Sequence, residues 1–132
     1  MDIALKKDIM LDIYEKRMLL TASRDKPEGW TLHSGIWSPF YIQLRILSSF
    51  PKTLQKVGQA LGTMIKEEAP HINRLVGIAF AGIPIATAIS ISTGIPACHT
   101  RKIVGVRTEA ELRDAIDKYG QHTLLEGEIE EG

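Results

Sequence analysis

Residues 75–98 restrict the possible folds more than any other part of this sequence, because the run contains no charged residue. An uncharged run of this length is long enough to cross a bilayer as a helix. Glycine and proline interrupt it, however, at Gly77, Gly82, Pro84, Gly94 and Pro96. These interruptions leave pieces of strand or short-helix length, which favours a buried strand, helix and strand over a membrane span.

The pieces of this run predict an α/β core. Residues 75–80 are continuously apolar, which is typical of a strand buried on both faces of a parallel sheet. A helix is expected over about 84–93 and a second strand over 95–100, where Cys98 and His99 are expected to be core residues. This order of elements implies a right-handed crossover.

The first 50 residues predict a helix and a hairpin. Apolar residues share one face over residues 3–22, which indicates a helix. Two short strands, over 30–33 and 39–42, are expected to pair as a hairpin outside the main sheet. A further helix begins near Pro51, since proline suits the first helical position, and ends before Pro70.

Residues 103–118 do not continue the alternation of strands and helices predicted for the core. Thr108 and Glu111 have the spacing of a capping box and predict a short helix that reaches about Lys118. Such a short helix is unstable unless it docks, so the segment is expected to be a mobile loop. Residues 123–125 are expected to add one short strand.

Composition excludes several classes of protein. The 16 Lys and Arg residues balance the 16 Asp and Glu residues, which argues against binding to bulk nucleic acid or to an anionic membrane. One cysteine, Cys98, cannot form an internal disulfide or a thiolate metal site, and it fits a reducing cytoplasm. No two histidines have metal-ligand spacing, and the N-terminus lacks a signal-peptide core. A cytoplasmic protein without a metal site of its own is expected.

The loop Phe80, Ala81 and Gly82 follows a predicted strand and opens a predicted helix. Such loops expose backbone N–H groups beside a helix N-terminus, which favours phosphate or diphosphate. Gly82 would let the backbone approach a ligand. A tight turn whose small residues serve packing is the alternative.

Arg101 and Lys102 follow the uncharged strand directly. The carboxyl ends of strands are where open α/β sheets bind ligands. A forked guanidinium beside an ammonium suits a polyphosphate, although a solvated strand end would show the same pattern.

Four segments, in this order, resemble orotate phosphoribosyltransferases from about residue 28 to residue 127. They are residues 30–35 (WTLHSG) with 38–42 (SPFYI), 77–86 (GIAFAGIPIA), 101–102 (RK), and 117–120 (DKYG) with 125–127 (LEG). The resemblance implies a type I phosphoribosyltransferase-like parallel sheet flanked by helices. Residues 1–132 would form a single truncated domain, with an N-terminal helix and hairpin hood over 1–50 and the first part of the core over 51–132.

The resemblance also implies roles for the site residues. The loop over 80–82 would hold the diphosphate of phosphoribosyl pyrophosphate, and Arg101 and Lys102 would contact phosphates, partly across a homodimer interface. The hairpin would cover the base, and backbone groups at Phe40 and Tyr41 would hydrogen-bond orotate. His33 stands where the family has a lysine, so the implied role is base or substrate binding, and an exposed hairpin residue is the alternative.

The family's mobile loop carries a catalytic lysine, and Asp117 occupies that position here. Lys118 is the nearest replacement and is the candidate catalytic residue. Arg107 and Arg113 are the other cations within reach of the same role.

The implied reaction transfers a 5-phosphoribosyl group from phosphoribosyl pyrophosphate to orotate, with Mg²⁺ as cofactor, in pyrimidine biosynthesis. The family's paired acids and glycine/threonine loop, which grip the ribose and its phosphate, are missing before Gly132. The chain is therefore expected to be the N-terminal part of a longer enzyme, with C-terminal strands missing and no activity alone. A phosphoribosyltransferase for another base, and a non-catalytic sensor of phosphoribosyl pyrophosphate or a nucleotide, are the alternatives.

Overall fold

The structure is a computed structural model that describes residues 2–101, 105–119 and 125–129. Its helices are α1 (Ile3–Glu15), a 3-10 helix (Leu44–Ser49), α2 (Pro51–Glu68), α3 (Gly82–Thr93) and α4 (Glu109–Tyr119). Its strands are β1 (Leu19–Thr21), β2 (Trp30–Thr31), β3 (Trp37–Ser38), β4 (Phe40–Ile42), β5 (Leu75–Gly77), β6 (Ala97–Thr100) and β7 (Leu125–Glu126).

The main sheet has the strand order β5-β6-β7. Strands β5 and β6 are parallel and are joined by α3, which packs against both, and α2 packs on α3. The predicted α/β core and its parallel strand pair are confirmed. The sheet is mixed, however, because β7 runs antiparallel to β6.

Strand β5 is not buried on both faces, so that prediction was wrong. Leu75 and Gly77 are buried, whereas Val76 is 51% exposed and Ile78, just beyond the strand, is 70% exposed. Alternate residues of a strand point to opposite faces, and α3 covers the face that carries Leu75 and Gly77. The continuous apolar run therefore supplies one buried face and one open face.

The N-terminal segment differs from the expected long helix and single hairpin. Helix α1 ends at Glu15, Arg17 adopts a left-handed φ of 60°, and the chain turns into β1. Strand β4 pairs with β1, in the register Leu19↔Ile42, while β2 pairs with β3. The strand predicted over 30–33 therefore forms a hairpin with Trp37–Ser38, not with 39–42.

Asp12 connects α1 to α2 through its carboxylate. The carboxylate accepts hydrogen bonds from Lys16 Nζ at 2.8 Å, from Thr53 Oγ1 at 2.7 Å and from Lys56 Nζ at 3.1 Å. The bond from Lys16, followed by those from Thr53 and Lys56, holds the pKa of Asp12 well below its ordinary value. Thr53 is only 1% exposed, so this polar cluster lies at the buried junction of the two helices.

Helices α2 and α3 approach closely at two glycines of α2. A Cβ atom at Gly58 would lie 2.8 Å from the backbone carbonyl of Ala88. A Cβ atom at Gly62 would lie 2.7 Å from Cγ2 of Thr93. The absence of side chains at these positions lets α2 pack closely on the middle and the end of α3.

Replacing Gly58 with alanine is expected to destabilise the fold by about 1–2 kcal/mol, because the new methyl group meets rigid backbone. Helix propensity alone would favour alanine by about 1 kcal/mol, so the sign of the effect is informative. Urea unfolding followed by circular dichroism measures it, with the exposed Gln55→Ala as the control in the same helix. A stabilised Gly58→Ala variant would contradict the close packing of α2 on α3.

Within the described ranges, no helix is both long enough and apolar enough to cross a membrane. The uncharged run over residues 75–98 forms β5, α3 and the start of β6 instead. The strand, helix and strand predicted from its glycines and prolines are confirmed.

Candidate functional site

A cavity of about 460 Å³ opens at the carboxyl ends of β5 and β6. Its lining residues come from the loop after β5, from α3, from the end of β6 and from β7: Phe80, Ile83, His99, Thr100, Arg101 and Glu126. Two of the predicted ligand contacts, Phe80 and Arg101, therefore lie at one cavity. This is the edge of the sheet at which open α/β folds bind ligands.

The loop before α3 is held by its own backbone bonds. Gly82 N donates to Ile78 O at 2.9 Å, and Ile83 N donates to Phe80 O at 3.2 Å. Helix α3 begins at Gly82, two residues earlier than predicted, and Ala81 caps it without a side-chain hydrogen bond. An anion at this helix end would compete with the longer of the two bonds, the one donated by Ile83.

The two glycines near this loop have different roles. A Cβ atom at Gly77 would lie 2.9 Å from the carbonyl oxygen of Gly82 and 3.0 Å from Cβ of Ala86. A Cβ atom at Gly82 would meet nothing closer than 3.7 Å among the described residues. Packing therefore requires glycine at 77, whereas a side chain at 82 would make only ordinary van der Waals contacts with Gly77 and Ile78.

Arg101 lies at the end of β6 with about half of its side chain exposed. Its Nη1 atom is 3.4 Å from Oε1 of Glu126, and both side chains are 48% exposed. Glu126 reaches this position because β7 pairs with β6, which places it opposite His99. Lys102, the second predicted cation, lies outside the described residues.

Three lining residues of this cavity were not predicted as site residues: His99, Thr100 and Glu126. His99 was expected in the core instead. Cys98 is buried as expected, but His99 is only half-buried and faces the cavity. The alternation of a strand could have indicated this, because His99 and Arg101 share a face that Cys98 does not. Thr100 and Glu126 carried no comparable signal on their own.

Gly127 follows Glu126 and brings β7 close to β6. Its φ is 124°, and a Cβ atom there would lie 2.7 Å from Cβ of Cys98. Glycine at this position lets the preceding Glu126 approach Arg101.

The hairpin residues do not line this cavity. Tyr41 is half-buried and stacks on Trp30, with ring centroids 6.2 Å apart, while Phe40 is 52% exposed. His33 is exposed near the tip of the hairpin. The structure thus places the predicted base-binding residues on the N-terminal strands, apart from the Arg101 cavity.

Lys118 lies near the end of α4 with its side chain exposed, and it is not a lining residue of the cavity. The predicted capping box of α4 is confirmed, because Glu111 accepts from Thr108 N at 3.0 Å and Thr108 Oγ1 accepts from Glu111 N at 3.2 Å. The backbone N–H groups of Arg107 and Thr108 lower the pKa of Glu111. The start of α4 is therefore well defined.

Comparison with known proteins identifies the relatives of this chain. Orotate phosphoribosyltransferase of Enterococcus faecalis is 33% identical over 105 residues, which are 80% of this chain and 44% of the relative. Orotate phosphoribosyltransferase of Bacillus cytotoxicus is 30% identical over 128 residues, which are 97% of this chain and 54% of the relative. The resemblance to orotate phosphoribosyltransferases is confirmed. The chain spans about half the length of the curated relatives it matches, and no family model matches it.

A solved structure similar to this chain has the same fold. UMP synthase of Leishmania donovani superposes with a TM-score of 0.69 at 22% identity, over 99% of this chain and 23% of that protein. The predicted fold class, a type I phosphoribosyltransferase-like α/β domain, is confirmed. Orotate phosphoribosyltransferase-like sequence and this fold thus coincide over most of the chain.

Proposed function

We propose that this chain provides the diphosphate-binding part of an enzyme that transfers a 5-phosphoribosyl group from phosphoribosyl pyrophosphate to orotate. The observation that supports this is the cavity at which the loop after β5 meets Arg101. The curated relatives, which are named orotate phosphoribosyltransferase, indicate the reaction class and its place in pyrimidine biosynthesis.

In this reaction the bond between C1 of the ribose and the diphosphate oxygen breaks. A bond from C1 to a ring nitrogen of orotate forms, and the proton of that nitrogen passes to the leaving diphosphate or to water. The electron pair of the broken bond leaves with the diphosphate, so negative charge grows there in the transition state. A guanidinium held at that position lowers the barrier by neutralising the charge. Arg101 is the described side chain that can supply this, and Lys102 is proposed to assist it.

The ion pair between Arg101 and Glu126 is weak enough to yield to a diphosphate. Its atoms are 3.4 Å apart and both side chains are half exposed, so solvent screens their attraction. A diphosphate carries more charge than one carboxylate and can accept hydrogen bonds from two nitrogens of the guanidinium. Glu126 therefore holds Arg101 at the cavity until the substrate arrives.

The loop over residues 80–82 is proposed to cradle the diphosphate. Phe80, Ala81 and Gly82 lie where β5 gives way to α3, at the N-terminus of that helix, where backbone N–H groups favour an anion. The 3.2 Å bond from Ile83 N to Phe80 O is long for its type, so its N–H group is the one most easily transferred to a ligand.

Phe40 and Tyr41 are proposed to bind the base through their backbone groups, with His33 near it. Strand β4 is held at one edge by its pairing with β1, and Tyr41 is held by stacking on Trp30. These contacts support the proposal because they fix the backbone that would recognise orotate.

Residues 103–118 are proposed to close over the bound substrate, with Lys118 as the catalytic cation. Closure of such a segment would exclude water and complete the site. Ala115 is the one buried side chain among those described in α4, and α4 has at most slight contact with other described helices and strands. Both features fit a segment that is free to move.

Amides of α4 are expected to exchange rapidly with solvent in the free protein, because few apolar contacts hold this helix. Addition of phosphoribosyl pyrophosphate is expected to slow their exchange. Hydrogen exchange followed by mass spectrometry measures both effects, with the well-packed α2 as the internal control. Protection in the free protein equal to that of α2 would mean that α4 is a docked structural element.

We also propose that the protein is a cytoplasmic homodimer. A groove of about 680 Å³ between α2 and α3 has no charged residue among those described that line it, and one of its lining residues, Ile91, is 83% exposed. An uncharged groove beside a protruding isoleucine suits an interface, and the single buried free cysteine suits a reducing compartment.

The Mg²⁺ implied by the resemblance has no matching set of ligands here. The described residues contain no group of three or more His, Cys, Asp or Glu side chains that could hold a metal ion. Mg²⁺ is therefore proposed only as a companion of phosphoribosyl pyrophosphate, while Arg101 and the loop contact the diphosphate themselves.

Titration with diphosphate and with phosphoribosyl pyrophosphate, followed by amide NMR, tests the proposed function. Saturable shifts are expected for residues 79–83 and for Arg101, at the mouth of the cavity. Orthophosphate serves as the control and is expected to bind more weakly, since it offers fewer oxygens. Shifts confined to other parts of the chain, or none at all, would refute the proposal.

A further inference from the structure

The hydroxyl of Thr100 joins the two halves of the candidate site. Thr100 Oγ1 accepts a hydrogen bond from the backbone N–H of Ala79 at 2.9 Å, across 21 positions of sequence. Ala79 immediately precedes Phe80 in the loop, and Thr100 immediately precedes Arg101. We infer that Thr100 is a positioning residue that fixes the loop over 79–82 relative to Arg101, an inference that rests on the proposed function of this cavity.

The sheet itself cannot provide this connection. The register between β5 and β6 runs from Leu75↔Ala97 to Gly77↔His99, where β5 ends. Beyond Gly77 the chain leaves the ladder, and the N–H of Ala79 donates to the side-chain hydroxyl of Thr100. Ala79 is half-buried, and the side chain of Thr100 supplies its N–H group with a hydrogen-bond partner.

Thr100 is well placed for this role because β7 pairs with its backbone on the edge of β6 that faces away from β5. It is the partner of Leu125 in the antiparallel pairing of β6 with β7. Its position therefore does not depend on the loop, and the loop depends on it. The hydrogen bond sets how far the diphosphate loop lies from the guanidinium of the next residue.

Diphosphate binding uses the loop and the cation together, so their separation affects affinity. Without the acceptor at position 100, the N–H of Ala79 loses its partner and the loop can drift from Arg101. A ligand must then order the loop as it binds, and part of its binding free energy is lost to that ordering. Thr100 would contribute to affinity through the position of the loop.

Two substitutions at Thr100 separate the effect of the hydroxyl group from the effect of the methyl group. Thr100→Val keeps the shape and removes the acceptor, while Thr100→Ser keeps the hydroxyl and removes the methyl group. Thr100→Val is expected to speed amide exchange at Ala79 several-fold and to weaken diphosphate binding by about three- to tenfold. Thr100→Ser is expected to resemble the wild type in both measurements.

The measurements are hydrogen exchange by NMR and isothermal titration with diphosphate, on the full chain at a temperature where thermal unfolding shows every variant folded. Thr63→Val is the matched control, because Thr63 is exposed and its hydroxyl donates within α2, to Gln59 O at 3.1 Å. Unchanged exchange at Ala79 in Thr100→Val would overturn the inference, as would faster exchange with unchanged affinity. A wild-type chain that binds no diphosphate would instead overturn the proposed function.

Discussion

Replacement of Arg101 with alanine is expected to lower the affinity of this chain for diphosphate by about ten- to a hundredfold. The loss corresponds to one charge-assisted hydrogen-bonding group, which is worth about 1.5–3 kcal/mol. Arg101 lines the cavity beside Phe80, and its ion pair with Glu126, at 3.4 Å between half-exposed side chains, is weak enough for an anion to displace. Isothermal titration with diphosphate measures the change, and orotate is expected to bind the variant as it binds the wild type.

Three further variants show whether the effect belongs to the guanidinium at this position. Arg45→Ala removes an exposed arginine from the 3-10 helix and is expected to leave affinity unchanged. Arg101→Lys keeps the positive charge but loses the planar set of N–H donors of the guanidinium, so an intermediate affinity is expected. Glu126→Gln removes the competing carboxylate and is expected to strengthen binding. Equal losses for Arg45→Ala and Arg101→Ala would mean that only net charge matters.

The sequence predicted the core of this domain because its signals there are local. The glycines and prolines between residues 75 and 98 divide an apolar run, and each piece folded as its composition indicates. The capping box at Thr108 and Glu111 formed, since its two hydrogen bonds span only three residues. Features of this kind depend on neighbours in sequence and can be recognised without a structure.

The N-terminal strands could not be predicted from local pattern. Apolar residues continue past Glu15, and Met18 is fully buried, so the run resembles a longer helix. The helix ends instead because residues 19–21 pair with β4, a strand about twenty positions away. Strand pairing of this range depends on tertiary packing, which overrides helical periodicity.

The burial of β5 could not be predicted from sequence for a different reason. Apolar residues at Val76 and Ile78 indicate that a face can be buried, but not that something covers it. The described helices cover only the face of Leu75 and Gly77. Composition alone does not distinguish these two faces.

Part of the candidate site could be predicted from local sequence signals. The loop over 80–82 and Arg101 each follow a strand, and parallel strands bring their carboxyl ends to one edge. Thr100 and Glu126 were missed because their contacts, with Ala79 N and with Arg101, join residues more than twenty positions apart. A threonine or a glutamate has no local pattern that reveals such a partner.

Replacement of Asp12 with asparagine is expected to destabilise the fold by about 1.5–3 kcal/mol near neutral pH. Hydrogen bonds to a charged group contribute about this much, and asparagine keeps the shape while losing the charge that pairs with Lys16 and, together with Asp8, with Lys56. The buried Thr53 hydroxyl would also lose a strong acceptor. Urea unfolding at pH 7 measures the loss, with the exposed Asp114→Asn as the matched control.

The same cluster predicts how stability depends on pH. The folded protein holds the pKa of Asp12 below its ordinary value of 3.8, mainly through the hydrogen bond from Lys16. A depressed pKa contributes stability that is fully present above the unfolded value and is lost as the pH falls through the folded one. Stability of the wild type should therefore fall below about pH 4, and the gap to Asp12→Asn should narrow there. A gap that stays constant from pH 7 down to pH 2 would show that the charge of Asp12 does not hold α1 to α2.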